Sequence, residues 1–383
     1  MQDFGRIFDG VEDPRTSNAT RHDLHEMLMI ALLCMICGGQ TCTDMELFGR
    51  SKEAFLRRFM KLEHGIPSHD AFSSLFRVLD PECLQRVLVR LASDWVGRLG
   101  PDVIAIDGKA LRRSFEDASR RSPLHVVNAF AAGARLTLGQ VRVDGKSNEI
   151  TAMPALLELL DVKGMTVTAD AMHTQRDTAK RVTEAGGSCV LALKGNQETL
   201  HDDVRLHMAD PENAGKMLRF SDVDKGHGRI ETREATVCHD VDTLQDLHHW
   251  PGLQAVGKVT ATRETKGERS TETRFFLLSE TLGPEQFLKT VRAHWAVENS
   301  LHWVLDVTMG EDGLRNRKDN GPENLAMMRK LALNLARLTD GGRVTSMRGK
   351  LKKAGWDDGF LLKLLRSAAS LAPTLETDKI QTR

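Results

Sequence analysis

Tyrosine is missing from this 383-residue chain altogether, and aromatic residues make up only 5% of it. Excess charge of one sign is missing too, because 53 lysines and arginines meet 53 aspartates and glutamates. Zero net charge excludes a histone-like protein that grips nucleic acid through overall basicity, though it leaves room for local patches. Such patches occur at Arg57-Arg58, Arg112-Arg113, Arg120-Arg121, Arg315 with Arg317-Lys318, and Arg348 with Lys350, Lys352 and Lys353. Each of them can equally be a solvated face. Long apolar runs are absent: the longest, Met27 to Cys37, is too short to span a bilayer and reads as a buried helix. The opening MQDFGRIFDG has neither the basic start nor the apolar centre of a signal peptide. A cytoplasmic protein with no membrane association is therefore expected. Cysteine is scarce, with Cys34, Cys37 and Cys42 close together and Cys83, Cys189 and Cys238 scattered. One CxxC without a second CxxC or an HxxxH does not complete a zinc site, so reduced, buried thiols are expected.

What is present is a composition of 40% hydrophobic and 28% charged residues, enough for a sizeable core, and a length that suggests two or three domains. Residues 1–100 read as helical. Leu24, Met27, Leu28, Ala31 and Leu32 recur at helical spacing, as do Phe72, Leu75, Phe76 and Leu79, with Ser68 or Asp70 as the cap. Leu84 to Trp95 forms a third amphipathic stretch, and Gly97 to Asp102 reads as the joint to a second domain. Such a helical unit suits either DNA reading or a plain scaffold.

From residue 103 the pattern turns to strands. VIAID (103–107), HVVNAFAA (125–132) and LTLGQVRVD (136–144) suggest an antiparallel meander. A helix over Thr151 to Leu160 follows, then the strand MTVTA (165–169), a helix over Thr174 to Ala185, and a strand over Cys189 to Leu193. Three strands and then alternating helix and strand is the order of a ribonuclease H-like α/β core. Residues 210–280 interrupt it with strand-like runs that suggest a β-rich insertion. Pro284 opens a long helix through EQFLKTVRAHWAVENSLHWVLDV. Residues 101–340 thus form the core with its insertion, 341–383 a helical tail that turns polar near Thr374.

Two of the buried strands end in an acid. Asp107 is expected to close the first, with Gly108 turning the chain, and Asp170 closes the fourth strand, 63 positions on (107 to 170). Adjacent parallel strands would bring both to one edge of the sheet. On the long helix Val291, His294, Glu298, Leu301, His302 and Leu305 share one stripe, so Glu298 sits between two histidines one turn away on either side. A satisfied polar seam in a core would look the same. Chemistry sharpens the choice: phosphodiester cleavage needs about 8–23 kcal/mol or more of barrier lowering, and a lone general base gives about 10²–10⁴-fold. Two divalent ions about 3.5–4 Å apart supply more, and hard carboxylate oxygens hold them. Glu311 and Asp312 are competing acids, but they follow Gly310 and are expected on a flexible connector, near arginines or solvent. Lys109, Arg112, Lys194, Arg315, Arg317 and Lys318 are candidates for phosphate contacts.

IAIDGKALRRS, TVTADAMHTQ, VLALKGNQ, KGHGRIETR and RAHWAVENSLHWVLDVTMGED together resemble the DDE transposases of bacterial insertion sequences, and most of all the H-repeat-associated subgroup. The likeness runs from GVEDPR (10–15) to PENLAMMRKLALNLAR (322–337). It implies a ribonuclease H-like catalytic core, a β-rich insertion before the third acid, and an associated N-terminal helical domain. It implies Asp107, Asp170 and Glu298 as catalytic triad and ligands of Mg²⁺ or Mn²⁺. It also implies DNA as partner, both element ends and target, a homodimer on those ends, and strand cleavage followed by strand transfer. Many members of the wider superfamily carry Tyr, Arg, Glu and Lys along the third-acid helix. Here Val291, His294 and Leu305 stand at the Tyr, Arg and Lys positions, whereas Arg292, Trp295 and Glu298 fit. Phosphate contacts on this helix then fall to Arg292, His294 or His302. Two other readings stay open: a DNA-binding relic that has kept the fold without turnover, and a zinc hydrolase built on Asp170, His173, His294 and His302, for which no HExxH is present.

Overall fold

The computed structural model describes residues 7–97, 100–114, 123–143, 149–226, 228–265, 267–344 and 346–371; Arg120-Arg121 and the tail from Thr374 lie outside them. Five helices come first: α1 (Leu24–Ile36), α2 (Cys42–Ser51), α3 (Glu53–Leu56), α4 (His69–Val78) and α5 (Pro81–Gly97). Their starts follow from local chemistry. Asp23 caps α1 by accepting from the Glu26 amide, Thr41 and Asp44 form a reciprocal capping box on α2, and Ser68, not Asp70, caps α4. The stretch around Cys34 is buried on every face of α1, and all six cysteines are free. Burial pushes the Cys42 thiol up to about 11 and the Cys37 thiol up to about 12.

The meander follows as β1 (Val103–Leu111), β2 (Leu124–Ala131) and β3 (Leu136–Val143). Then come α6 (Glu149–Glu158), β4 (Thr166–Ala169) parallel to β1, α7 (Arg176–Glu184) and β5 (Ser188–Leu193) parallel to β4. After α8 (Glu198–His207), two long hairpins follow: β6 (Met217–Gly226) with β7 (Arg229–Cys238), and, past α9 (Asp242–His248), β8 (Ala255–Thr265) with β9 (Glu268–Leu278). These do not form a separate unit. β9 pairs antiparallel with β5, so one mixed sheet of nine strands runs β3-β2-β1-β4-β5-β9-β8-β7-β6.

Four helices complete the chain: α10 (Pro284–His294), α11 (Gly321–Leu338), α12 (Met347–Trp356) and α13 (Asp358–Leu371). α10 lies on the hairpin part of the sheet, and the ring of Phe287 fills the space a side chain at Gly257 of β8 would need. α11 is buried over nearly its whole length. A single apolar core takes in Leu28 and Met35 of α1, Leu88 and Trp95 of α5, Phe130 of β2, Leu331 of α11 and Leu361 of α13. The helices before residue 98 and after 341 thus close the same core as the sheet. No helix among the described residues is long and apolar enough to cross a membrane.

Candidate active site

The two aspartates meet through register. β1 and β4 pair as far as Ile106 opposite Ala169, so the next residue on each strand is an aspartate at one level. Asp107 is not, however, the end of β1. On its other side the strand stays paired with β2, with Asp107 opposite Asn128 and Leu111 opposite Leu124. Gly108 continues the strand instead of turning it; the edge is made by the early stop of β4. Past that stop, Asp170 accepts from the Met172 and His173 amides at 3.1 and 3.4 Å and starts a short helical turn. One of its oxygens is therefore held in place by the backbone.

The third acid comes from a helix that changes gauge. α10 is regular to His294, but over Val297–His302 and Val304–Thr308 the chain winds wider, with i→i+5 bonds such as the Trp303 amide to the Glu298 carbonyl. The stripe expected from a 3.6-residue period therefore splits. His294 turns toward β4, where Nδ1 lies 3.0 Å from the Thr168 hydroxyl, and burial holds the ring down at about 4, hence neutral near pH 7. His302 turns toward β1. It is buried, with Nδ1 3.7 Å from Asp107 Oδ2 and 3.5 Å from Glu298 Oε2, and Nε2 3.4 Å from Asn128 Nδ2. The Glu298 side chain is 54% exposed, and His302 beside it holds its carboxyl below the usual range.

Asp107, Asp170 and Glu298 all line one cavity of about 240 Å³ at this edge, together with Thr168, Lys194, Arg274, His294 and Trp295. Ligand atoms of Asp107, Glu298 and His302 all lie within 4.8 Å of one another, close enough for one cation to gather. Lys194 is exposed at the mouth, past the end of β5. Arg274 stacks its guanidinium over Trp295, 4.9 Å from the ring centre.

Other expected contacts go elsewhere. Lys109 is buried, its Nζ 2.5 Å from Asp306 and 3.8 Å from Glu311, which removes it from the surface cations available to a phosphate. His302, with its ring against two carboxylates, is no surface contact either. Arg292 reaches Asp222 and Asp224 of β6, and the exposed Arg112 lies 3.7 Å from Asp312. Arg315, Arg317 and Lys318 are exposed and line a second cavity of about 260 Å³ with Arg77.

Glu311 overturns an expectation. It follows Gly310, whose φ of 68° and close approach to Gln40 suit only glycine, and its carboxylate is sealed from solvent, not held on a loose connector. Lys109, Arg329 and Lys330 surround it electrostatically. Burial pushes the Arg329 guanidinium down to about 10 and the Lys330 ammonium down to about 8. Arg329 donates to the Gln40 carbonyl and Lys330 to Gln140. Sequence reading missed this cluster, as it missed Asn128, Thr168 and Arg274. The signals were there: two adjacent cations inside LAMMRKLALNLARL and one amide inside HVVNAFAA.

Comparison with known proteins then gives the context. Residues 98–335 match the family model described as transposase DDE domain, and residues 6–92 match the one described as DDE_Tnp_1-associated. The chain is 35% identical over 361 residues to the H repeat-associated putative transposase YhhI of Escherichia coli (strain K12), covering 93% of this chain and 95% of that one. It is 42% identical over 284 residues to an uncharacterized protein in the dhlA 3' region of Xanthobacter autotrophicus, 73% of this chain and 95% of that one. Among solved structures, a piggyBac transposase synaptic complex with hairpin DNA aligns with 98% of this chain and 82% of that one at a TM-score of 0.43 and 14% identity. At that distance the likeness bears on neither fold nor site.

Proposed function

The chain belongs to the family of transposases with a DDE domain, and on that premise we propose that it is a metal-dependent DNA transposase that cleaves strands at the ends of its element and joins them to target DNA. Asp107, Asp170 and Glu298 are the catalytic acids, on a core of the ribonuclease H type. One observation carries this: two sequence-distant aspartates at one register level and a glutamate from a helix line the same cavity. The strand order β3-β2-β1-β4-β5, with β1 to β3 antiparallel and β1, β4 and β5 parallel, supports the core assignment.

The donor set fits a hard divalent cation, Mg²⁺ or Mn²⁺. Asp107 and Glu298 offer carboxylate oxygens within reach of a shared ion, and Asp170, anchored by two backbone amides, faces the same space. A bound ion would supply Lewis acidity, lowering the cost of forming an oxygen nucleophile and of the leaving oxygen's charge. The remaining work falls to the chain. Lys194 and Arg274 place positive charge at the cavity where a phosphate would approach. His294, neutral and held by Thr168, keeps the back wall uncharged. The Lys109–Asp306 pair ties the wide helix to β1 and so fixes Glu298 against Asp107. Arg112, Arg315, Arg317 and Lys318 contact phosphates along the flanking DNA, with the N-terminal helices as a further DNA-facing surface. The protein works as a homodimer on element ends, in the cytoplasm.

The test is cleavage of DNA carrying the element ends, with binding measured in parallel. Asp107→Asn, Asp170→Asn and Glu298→Gln should each abolish cleavage and leave binding intact. Binding without cleavage by the wild type in Mg²⁺ or Mn²⁺ would instead identify a relic that has lost turnover.

A further inference from the structure

We propose that His302 is itself a metal ligand, so that the ion at Asp107 and Glu298 sits in a mixed carboxylate–imidazole site and not in an all-oxygen one. The inference rests on the reading that these two acids hold a divalent cation.

Three observations lead to it. First, the imidazole is where a ligand belongs. Its Nδ1 lies 3.7 Å from Asp107 Oδ2 and 3.5 Å from Glu298 Oε2, longer than good hydrogen bonds. Donor atoms in adjacent positions around an octahedral ion at 2.0–2.1 Å are about 3 Å apart, so a contraction of roughly 0.5–0.8 Å brings Nδ1 and the two carboxylates to ligand spacing. Second, the ring cannot turn away. His302 is 95% buried on its wide helical turn, and Asn128 of β2 packs against Nε2.

Third, Asn128 leaves a polar atom unexplained. With its amide nitrogen toward His302, its carbonyl oxygen is fully buried without a partner. Turning the amide over puts that oxygen against Nε2–H, which fixes the proton on Nε2 and moves the unpartnered place to the amide nitrogen. In that tautomer Nδ1 presents its lone pair to the space shared with the two carboxylates, an arrangement that a cation among them stabilises. A metal-bound histidine whose other nitrogen donates to a fixed oxygen is the usual way to set that tautomer. The wide helix is what makes this possible, since it aims His302 at β1 and His294 at Thr168 of β4. An imidazole in the shell shifts preference away from Mg²⁺ toward later divalent ions.

Manganese(II) is the probe, added to the full-length protein without DNA. Electron spin-echo spectra of the bound ion should carry nitrogen-14 modulation from a directly coordinated imidazole, replaced by the nitrogen-15 pattern when the protein is grown on labelled histidine. His302→Gln should remove the modulation and weaken Mn²⁺ binding by about tenfold or more. His294→Gln should keep it. Should His302→Gln not fold, the labelling result together with retention of the signal in His294→Gln decides the matter. Mn²⁺ bound in a manner that Asp107→Asn and Glu298→Gln abolish, but with no nitrogen modulation, would overturn the assignment of His302 and leave the carboxylate site standing. So would modulation that survives in folded His302→Gln. Binding unaffected by Asp107→Asn and Glu298→Gln would overturn the carboxylate reading first, and this one with it.

Discussion

Two clusters of acids join β1 to the wide helix and the turn that follows it, and they are built on opposite principles. At the cavity, Asp107 and Glu298 face each other with a histidine between them, and Glu298 is half exposed. At the far end, Asp306 and Glu311 are outnumbered by Lys109, Arg329 and Lys330, and Glu311 is sealed from water. Buried charge is costly unless compensated, and the second cluster compensates from within. The first lines an open cavity, where a cation from solution can reach it. A cluster that opens on a cavity is suited to binding; one sealed in with its counter-charges is suited to holding elements together.

The sharpest way to break this contrast is to neutralise one acid in each cluster. Asp107→Asn should cut strand cleavage by about three orders of magnitude or more, equivalent to roughly 4 kcal/mol of barrier, while leaving the unfolding midpoint in guanidinium nearly unchanged. Glu311→Gln should do the reverse. It strands Arg329 and Lys330 in the core and should cost about 3–5 kcal/mol of stability, read by the same titration, with cleavage retained where the variant is still folded. Equal effects of both variants on both readouts would erase the distinction.

A smaller effect separates the two histidines. His294 is held neutral, its value depressed from the usual 6.5 to about 4, so the unfolded chain binds more protons between those limits. The stability His294 contributes is present above about pH 6.5 and is lost as pH falls toward 4. His294→Gln should flatten that part of the stability–pH curve; a curve unchanged by the substitution would show that the ring is already free to protonate.

The smallest effect concerns surface against buried cations. Log affinity for DNA should fall with log salt despite zero net charge, and Arg315→Ala, Arg317→Ala or Lys318→Ala should each reduce the slope by about 0.9. Lys330→Met, which removes a charge no phosphate can reach, should leave it alone. A flat dependence in the wild type would remove DNA as the partner.

Sequence reading went as far as local periodicity carries. The runs ending in Asp107 and Asp170 were legible because a strand buried on both faces is apolar throughout and its first polar residue stands out. Capping at Ser68 and the start of α10 at Pro284 were legible for the same local reason. What escaped depends on partners distant in the chain. Whether β1 stops at Asp107 is decided by β2, which keeps pairing, and not by Gly108. A helix assumed to repeat every 3.6 residues puts His294 and His302 on one stripe, and only the wider turn separates them. Acids after a glycine read as solvent-exposed, and nothing near Glu311 in sequence announces Arg329 and Lys330. The N-terminal helices read as an independent unit because their own periodicity is complete, yet the core they cover is shared with α11 and the sheet.

The pair that locks the wide helix to β1 also has a consequence in time. Lys109 and Asp306 are 197 residues apart along the chain. At about 5–20 residues per second, a ribosome takes roughly 10–40 s to go from one to the other. For most of that interval, from the synthesis of Asp170 until that of Glu298, the emerging chain carries both aspartates but neither the glutamate nor the clamp that would hold it beside them. A chain released early, by a stalled ribosome or a broken message, can carry the first two acids yet never assembles the three-acid cavity.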